Sequence, residues 1–123
     1  MRYFVSGHRD LTKEEFDKHY IPKLVKILQQ DPYTSFVVGD WEGCDEMFID
    51  FINEFRKITI HLYYVCLNKL SVCTENYGYY HKCESYDECD ANMTANSDFD
   101  IAWIRPGKEN SHTANNIKRR YGI

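Results

Sequence analysis

What this chain lacks narrows its class before any motif is read. No apolar run approaches the roughly 20 residues that a membrane-crossing helix needs, so no membrane partner is expected. The opening Met1-Arg2-Tyr3 is not followed by the apolar stretch of a secretory leader, which sets the expectation of a cytoplasmic protein. Positive charge is not in excess either: the net charge is −4. A polyanion would be repelled rather than gathered, so no nucleic-acid partner is expected. The local run Lys118-Arg119-Arg120 reads instead as a helix end complementing its dipole. The five cysteines, Cys44, Cys66, Cys73, Cys83 and Cys89, contain no C-x₂-C pair. His81, Cys83 and Cys89 with Cys73 upstream therefore lack the spacing of a zinc knuckle, and no metal is expected. Odd in number and without a leader, the cysteines read as free thiols of a reducing compartment. No repeat, linker or low-complexity segment divides the 123 residues, which predicts a single domain over 1–123.

What is present is an ordinary globular balance, 43% hydrophobic and 28% charged, enough for one core. Short apolar runs alternate with helical stripes. Tyr3–Ser6 reads as a first strand. Thr12-Lys13-Glu14-Glu15 matches a capping box, and Phe16, Tyr20, Leu24, Ile27 and Leu28 then fall on one helical face. Pro22 must kink that helix or start a second one. Thr34–Val38 reads as a second strand, Trp41–Phe55 as a helix, and Ile58–Val65 as a third strand. Periodicity fails over 67–83, where Gly78 and the tyrosines Tyr77, Tyr79 and Tyr80 predict a long loop, a lid over a base or an oligomer contact. A short helix follows from Ser85 to about Asn96, then a fourth strand over Asp100–Ile104 and a last helix from Ser111 to Tyr121, stopped by Gly122. The alternation predicts an α/β fold: a Rossmann-like, doubly wound parallel sheet of order 3-2-1-4, with a short fifth strand at Tyr121–Ile123.

In such a sheet the loops after the strands meet on one edge, where ligands bind. Three of them carry polar and small residues. The first is Gly7-His8-Arg9-Asp10. The second runs from Gly39 through Trp41 and Gly43 to Asp45, and the third from Pro106-Gly107 to Ser111-His112-Thr113. Each alone reads as a turn. Together they read as a phosphate and ribose site: glycines for close backbone approach, hydroxyls and helix N-terminal amides for phosphate, Asp45 for a hydroxyl, and Arg9 as a fork on phosphate or a plane on a base. His8 and His112 flank the same place and could handle protons near neutral pH.

Ser6-Gly7-His8-Arg9-Asp10, Val38-Gly39-Asp40-Trp41-Glu42-Gly43-Cys44-Asp45, Asn92-Met93 before Ser97–Ile104, and Ser111-His112-Thr113 together resemble the SLOG superfamily. That Rossmann-like group includes the DprA and LOG proteins and small stand-alone proteins, and is related to the nucleoside 2-deoxyribosyltransferases. The resemblance covers nearly the whole chain in order, with the G-x-x-x-G-x-D of Gly39–Asp45 its most specific piece. It implies a nucleotide-like ligand, a nucleoside monophosphate or an ADP-ribose-like molecule. Gly7 and Arg9 would lie in its first ligand loop, Gly39, Gly43 and Asp45 in the second, and Ser111 and Thr113 in the phosphate-binding third. No cofactor is implied.

Two departures bear on chemistry. Asn116 stands where LOG glycosidases carry a catalytic glutamate, and an amide cannot act as a basic or nucleophilic carboxylate. Cys89, followed by Asp90, stands where stand-alone relatives place an arginine. Relatives also continue into a full strand past the point where this chain stops, which suggests an edge completed by a second subunit, a homodimer. The expectation is therefore a nucleotide-binding protein. The alternatives are an N-glycosidase or deoxyribosyltransferase using another acid, with Asp45 and Glu46 the candidates, and a ligand-free interaction domain.

Overall fold

Strands with apolar residues on both sides of the pleat must be covered on both faces. The computed structural model describes residues 1–55, 58–66 and 77–122. Its strands are β1 (Arg2–Val5), β2 (Ser35–Val38), β3 (Thr59–Tyr64), β4 (Tyr77–Lys82) and β5 (Phe99–Ile101). Its helices are α1 (Lys13–His19), α2 (Ile21–Gln30), α3 (Cys44–Asn53), α4 (Tyr86–Ala95) and α5 (His112–Tyr121). Every strand pairing is parallel, in the order β4-β3-β2-β1-β5. Helices lie on both faces. Val5, Phe36, Val38, Ile60, Leu62 and Ile101 pack with the apolar sides of α1, α2 and α3 in the larger core. Phe4, Val37 and Tyr63 point the other way, onto Cys89 and Met93 of α4. This is a Rossmann-like, doubly wound α/β sheet.

The expected order 3-2-1-4 survives as the run β3-β2-β1-β5, with one addition. Tyr77–Lys82, inside the segment predicted to be a loop, is a strand paired with β3 residue for residue from Thr59↔Tyr77 to Tyr64↔Lys82. Its sequence, YGYYHK, has neither the apolar run of a buried strand nor a two-residue alternation. As an edge strand it buries little, and tyrosine is at home in a sheet without either signal. The remainder of that predicted loop, 67–76, lies outside the described residues. Of the short strand expected at Tyr121–Ile123, neither described residue, Tyr121 or Gly122, is in a strand. Tyr121 is the last residue of α5, and Gly122, at φ 71°, caps it with its N–H donating to Lys118 O; Ile123 lies outside the described residues.

Pro22 starts a second segment rather than kinking one. It sits in the first turn of α2, where a missing N–H costs no helical hydrogen bond. The cysteine reading needs correction as well. Cys83 and Cys89 form a disulfide, with Cα atoms 5.5 Å apart, joining the end of β4 to the first half of α4. Spacing alone could not show that a strand end and a helix turn bring them together. Cys44 and Cys66 are free, and Cys73 lies outside the described residues.

Three polar clusters fix the strand-following loops. Tyr20, fully buried where α1 meets α2, donates its hydroxyl to Ser6 O at 2.7 Å and accepts from Trp103 N at 3.0 Å. It thereby ties the chain leaving β1 to the chain leaving β5. Arg105 donates to both oxygens of Glu15 at 2.7 and 3.0 Å and to Asp10 at 2.9 Å, holding the third loop to the first. Glu15 also completes the α1 capping box, accepting from Thr12 N, and Arg105 holds its carboxyl down at about 2. Arg120 grips both oxygens of Asp100, at 2.7 and 3.1 Å, and thereby docks α5 on β5.

Tyr20→Phe removes one hydroxyl and leaves a buried carbonyl and a buried N–H short of a partner. It is expected to destabilise the fold by roughly 1–3 kcal/mol, measured by urea unfolding; an unchanged midpoint would show that water replaces the hydroxyl. Cys83→Ser should cost about 2 kcal/mol, the scale for so short a disulfide loop. Hydrogen exchange should then quicken in α4 before it does in β2, and uniform exchange in both would contradict the local role.

Candidate functional site

The β1–β5 boundary is where the sheet changes direction: the chain winds outward from β1 through β2, β3 and β4, then returns to place β5 on the other side of β1. Loops after β1 and β5 therefore part from each other and leave a crevice. The glycines decide how closely the walls approach. A Cβ on Gly7 would lie 2.6 Å from the Tyr20 hydroxyl and 2.5 Å from Cys44 Sγ, so only glycine lets the first loop pass there. Gly43, at φ 78°, packs against the carbonyls of His8 and Arg9, which seats the second loop on the first.

The first loop splits into a scaffold residue and a free-standing one. His8 is buried, and its Nε2 accepts from Arg105 N at 2.8 Å. Burial, and then the nearby Arg105 charge, hold its pKa below the usual value, so it stays neutral. Arg9 faces solvent instead. Its guanidinium lies 4.0 Å above the Trp41 ring and 3.3 Å from Glu42. Trp41 in turn meets Tyr86 edge to face at 4.5 Å, so an arginine and two rings form one rim of the crevice.

Asp45 closes the second loop, its carboxylate accepting from Trp41 N at 3.1 Å. It is 9% exposed, and burial pushes its pKa up to about 7; the Trp41 N–H opposes the shift, and Asp90 and Asp40 add to it. Asp90, on α4, is also raised by burial, with His112 and Arg119 pulling the other way. His112 Nδ1 lies 3.8 Å from Asp90, across from α5 to α4. Ser111 caps α5, accepting from Ala114 N at 3.2 Å. Asn116, one turn further on, is buried and accepts from Arg119 at 2.7 Å.

The crevice has two contiguous parts. An inner slot of about 80 Å³ lies between β1 and α4, with Phe4, Ser6, Tyr63, Met93, Asp45 and Asp90 among its walls. An open shelf of about 490 Å³ adjoins it, carrying Arg9 and Lys108, Asp10 and Glu42, Ser111 and the start of α5. Gly7, Arg9, His112 and Thr113 line both.

Of the residues predicted for a site, the structure brings Gly7, Arg9, Gly39, Asp45, His112 and Thr113 to the slot, and His8 and Ser111 to the shelf. Gly43 packs behind the first loop. Gly107, at φ 88°, only turns the chain, and a Cβ there would meet nothing within 4 Å. Glu46 is exposed and lines neither part. The wall that sequence reasoning missed is α4, which supplies Tyr86, Cys89, Asp90 and Met93. Helical phase after the Ser85 cap puts 86, 89, 90 and 93 on one face, and that signal was available. Neither protein-family models, curated proteins nor solved structures give a match to this chain.

A carboxyl whose pKa is higher folded than unfolded destabilises the fold once it must ionise. For Asp45 that contribution is absent below the unfolded value of 3.8 and grows as pH rises toward about 7. Asp45→Asn retains an acceptor for Trp41 N and has no charge to bury. The stability of Asp45→Asn relative to the unaltered protein should therefore increase between pH 4 and pH 8 in denaturant titrations, whereas a pH-independent difference would mean that Asp45 titrates normally.

Proposed function

We propose that this chain is a SLOG-like protein that binds a nucleoside monophosphate or an ADP-ribose-like molecule in the crevice between β1 and β5. The observation that carries the reading is the convergence of three strand-following loops on an inner slot walled by rings and carboxyls, with a polar shelf that carries Arg9 and Lys108 beside it. A nucleotide has the same division, a flat base and a hydroxylated sugar at one end and an anion at the other. On the shelf, Arg9, Lys108 and the N-terminus of α5 suit the phosphate, because exposed cations and first-turn amides favour an anion. The Trp41 and Tyr86 rings suit a stacked base, with Arg9 able to cover its other face. Pairing with Glu42 leaves Arg9 exposed, so a phosphate can take over the guanidinium at small cost.

A second reading, hydrolysis or transfer at an N-glycosidic bond, is favoured by Asp45, whose pKa burial pushes up to about 7, since a carboxyl that holds its proton near neutral pH can act as an acid. Asn116 argues for binding over turnover. Its side chain is buried on the slot wall at the position of the family's glutamate and can move no proton.

Thermal-shift screening against the four common nucleoside 5′-monophosphates, ADP-ribose and NAD should show stabilisation by at least one, and a flat response to all of them would end the nucleotide reading. Arg9→Ala should weaken a phosphate-bearing ligand by roughly 1.5–3 kcal/mol, the scale of a charge-assisted hydrogen bond. Unchanged affinity would take Arg9 out of the site. Free base released from a bound monophosphate, followed by chromatography, would favour the enzyme reading over simple binding.

A further inference from the structure

The inner slot holds an unpaid hydrogen bond. Along β1 the side chains alternate between faces, and Phe4 and Ser6 both line the slot while Val5 enters the opposite core. Ser6 is 6% exposed, and its Oγ is a buried hydroxyl with no partner. Such a group weakens the fold until something bonds to it. The same slot is lined by two carboxyls, that of Asp45, buried, and that of Asp90, whose side chain is 19% exposed, and by the hydroxyl and amide groups of Tyr63, Thr113 and Asn116. Arg9 and His112, the basic side chains of the slot, lie where it meets the shelf. An anionic group is therefore disfavoured beside the two carboxyls, and a group that donates hydrogen bonds is favoured there.

We propose that Ser6 and Asp90 form a specificity subsite for the neutral, hydrogen-bond-donating part of the ligand, either the vicinal hydroxyls of its sugar or the exocyclic amine of its base. This rests on the nucleotide reading and adds to it the part of the molecule that is read. Ser6 Oγ gains a partner only on binding. The Asp90 carboxyl accepts a donor from the opposite wall, and His112, 3.8 Å away, keeps it oriented toward the crevice. Burial makes each acid expensive to ionise, and a donor supplied by the ligand lowers that cost. The subsite thus rewards a ligand for hydroxyl or amino groups that a hydrophobic slot would penalise.

The probe is adenosine 5′-monophosphate, which carries both kinds of donor, titrated by calorimetry into the unaltered protein, Ser6→Ala and Asp90→Asn. Two analogues accompany it: 2′-deoxyadenosine monophosphate lacks one sugar hydroxyl, and inosine monophosphate lacks the amine. Adenosine monophosphate should lose about fivefold or more in affinity in each variant, and one analogue should lose a similar factor in the unaltered protein. Loss with the deoxy compound identifies the sugar, and loss with inosine monophosphate identifies the amine. Ser6→Ala has its own control for folding: without ligand it should unfold no more easily than the unaltered protein, because it removes a hydroxyl that had no partner. Equal affinity across variants and analogues, or loss in one set without the other, would overturn the subsite while leaving nucleotide binding in place. No heat from any of the three monophosphates would overturn the subsite, and the nucleotide reading would then stand or fall on the wider thermal-shift screen.

Discussion

The Tyr20 hydroxyl holds together the place on which everything else in this fold is built. In a parallel sheet that reverses its winding, the two strands at the reversal send their chains off in different directions, and nothing in the ladder keeps those chains at a fixed separation. Here a buried phenol spans the gap, donating to the carbonyl of Ser6 and accepting from the amide of Trp103. Burial and the adjacent Cys44 and Asp45 push its pKa well above the usual tyrosine value, so it remains a donor at any physiological pH. Gly7 passes beneath it because any side chain there would collide with it, and Cys44 fills the remaining space. One ring and two backbone atoms thus fix the separation of the chains that leave β1 and β5.

Charge is divided around that point by depth. Arg105, Glu15, Asp10 and neutral His8 are saturated with one another and hold the loops in place. Arg120 and Asp100 do the same for the last helix. Arg9 instead rests on a ring and an exposed carboxylate and can leave both at little cost. A basic residue beside the crevice is thus not automatically a ligand contact. Arg105 and Arg9 follow strands of one sheet edge, yet only Arg9 is available to a ligand.

The sequence made some of this readable, for physical reasons that differ by element. The buried strands β1, β2 and β3 and the capped helices announced themselves because apolar runs and Thr12 or Ser85 caps are local signals. The three loops were legible because glycines, hydroxyls and an acid follow strands at the same topological place. Strand β4 was not, since an edge strand rich in tyrosine carries neither a run nor an alternation. The Cys83–Cys89 bond was hidden because it depends on how β4 ends against α4. The α4 wall of the crevice was legible only through helical phase: the helix is polar by composition and buries only Cys89 and Met93, so its crevice-facing stripe is easily read as a solvated one. His8 was legible as a residue of the site edge but not as a scaffold group, because its partner, Arg105, lies 97 residues away.

The pairing of β1 with β5 has a consequence in time. Tyr3, Phe4 and Val5 are made first and find Phe99, Asp100 and Ile101 only after almost all of the chain exists. Contacts that distant in sequence close slowly, because the entropy of a long loop is lost before the contact returns anything. Apart from Ile101 and Trp103, the larger core of α1, α2 and α3 against β1, β2 and β3 draws on residues up to Tyr64 and can condense earlier. Residues of the crevice continue to Asn116. On a ribosome the chain would acquire its hydrophobic interior well before its crevice, so for that interval one edge of β1 stands open and in need of protection.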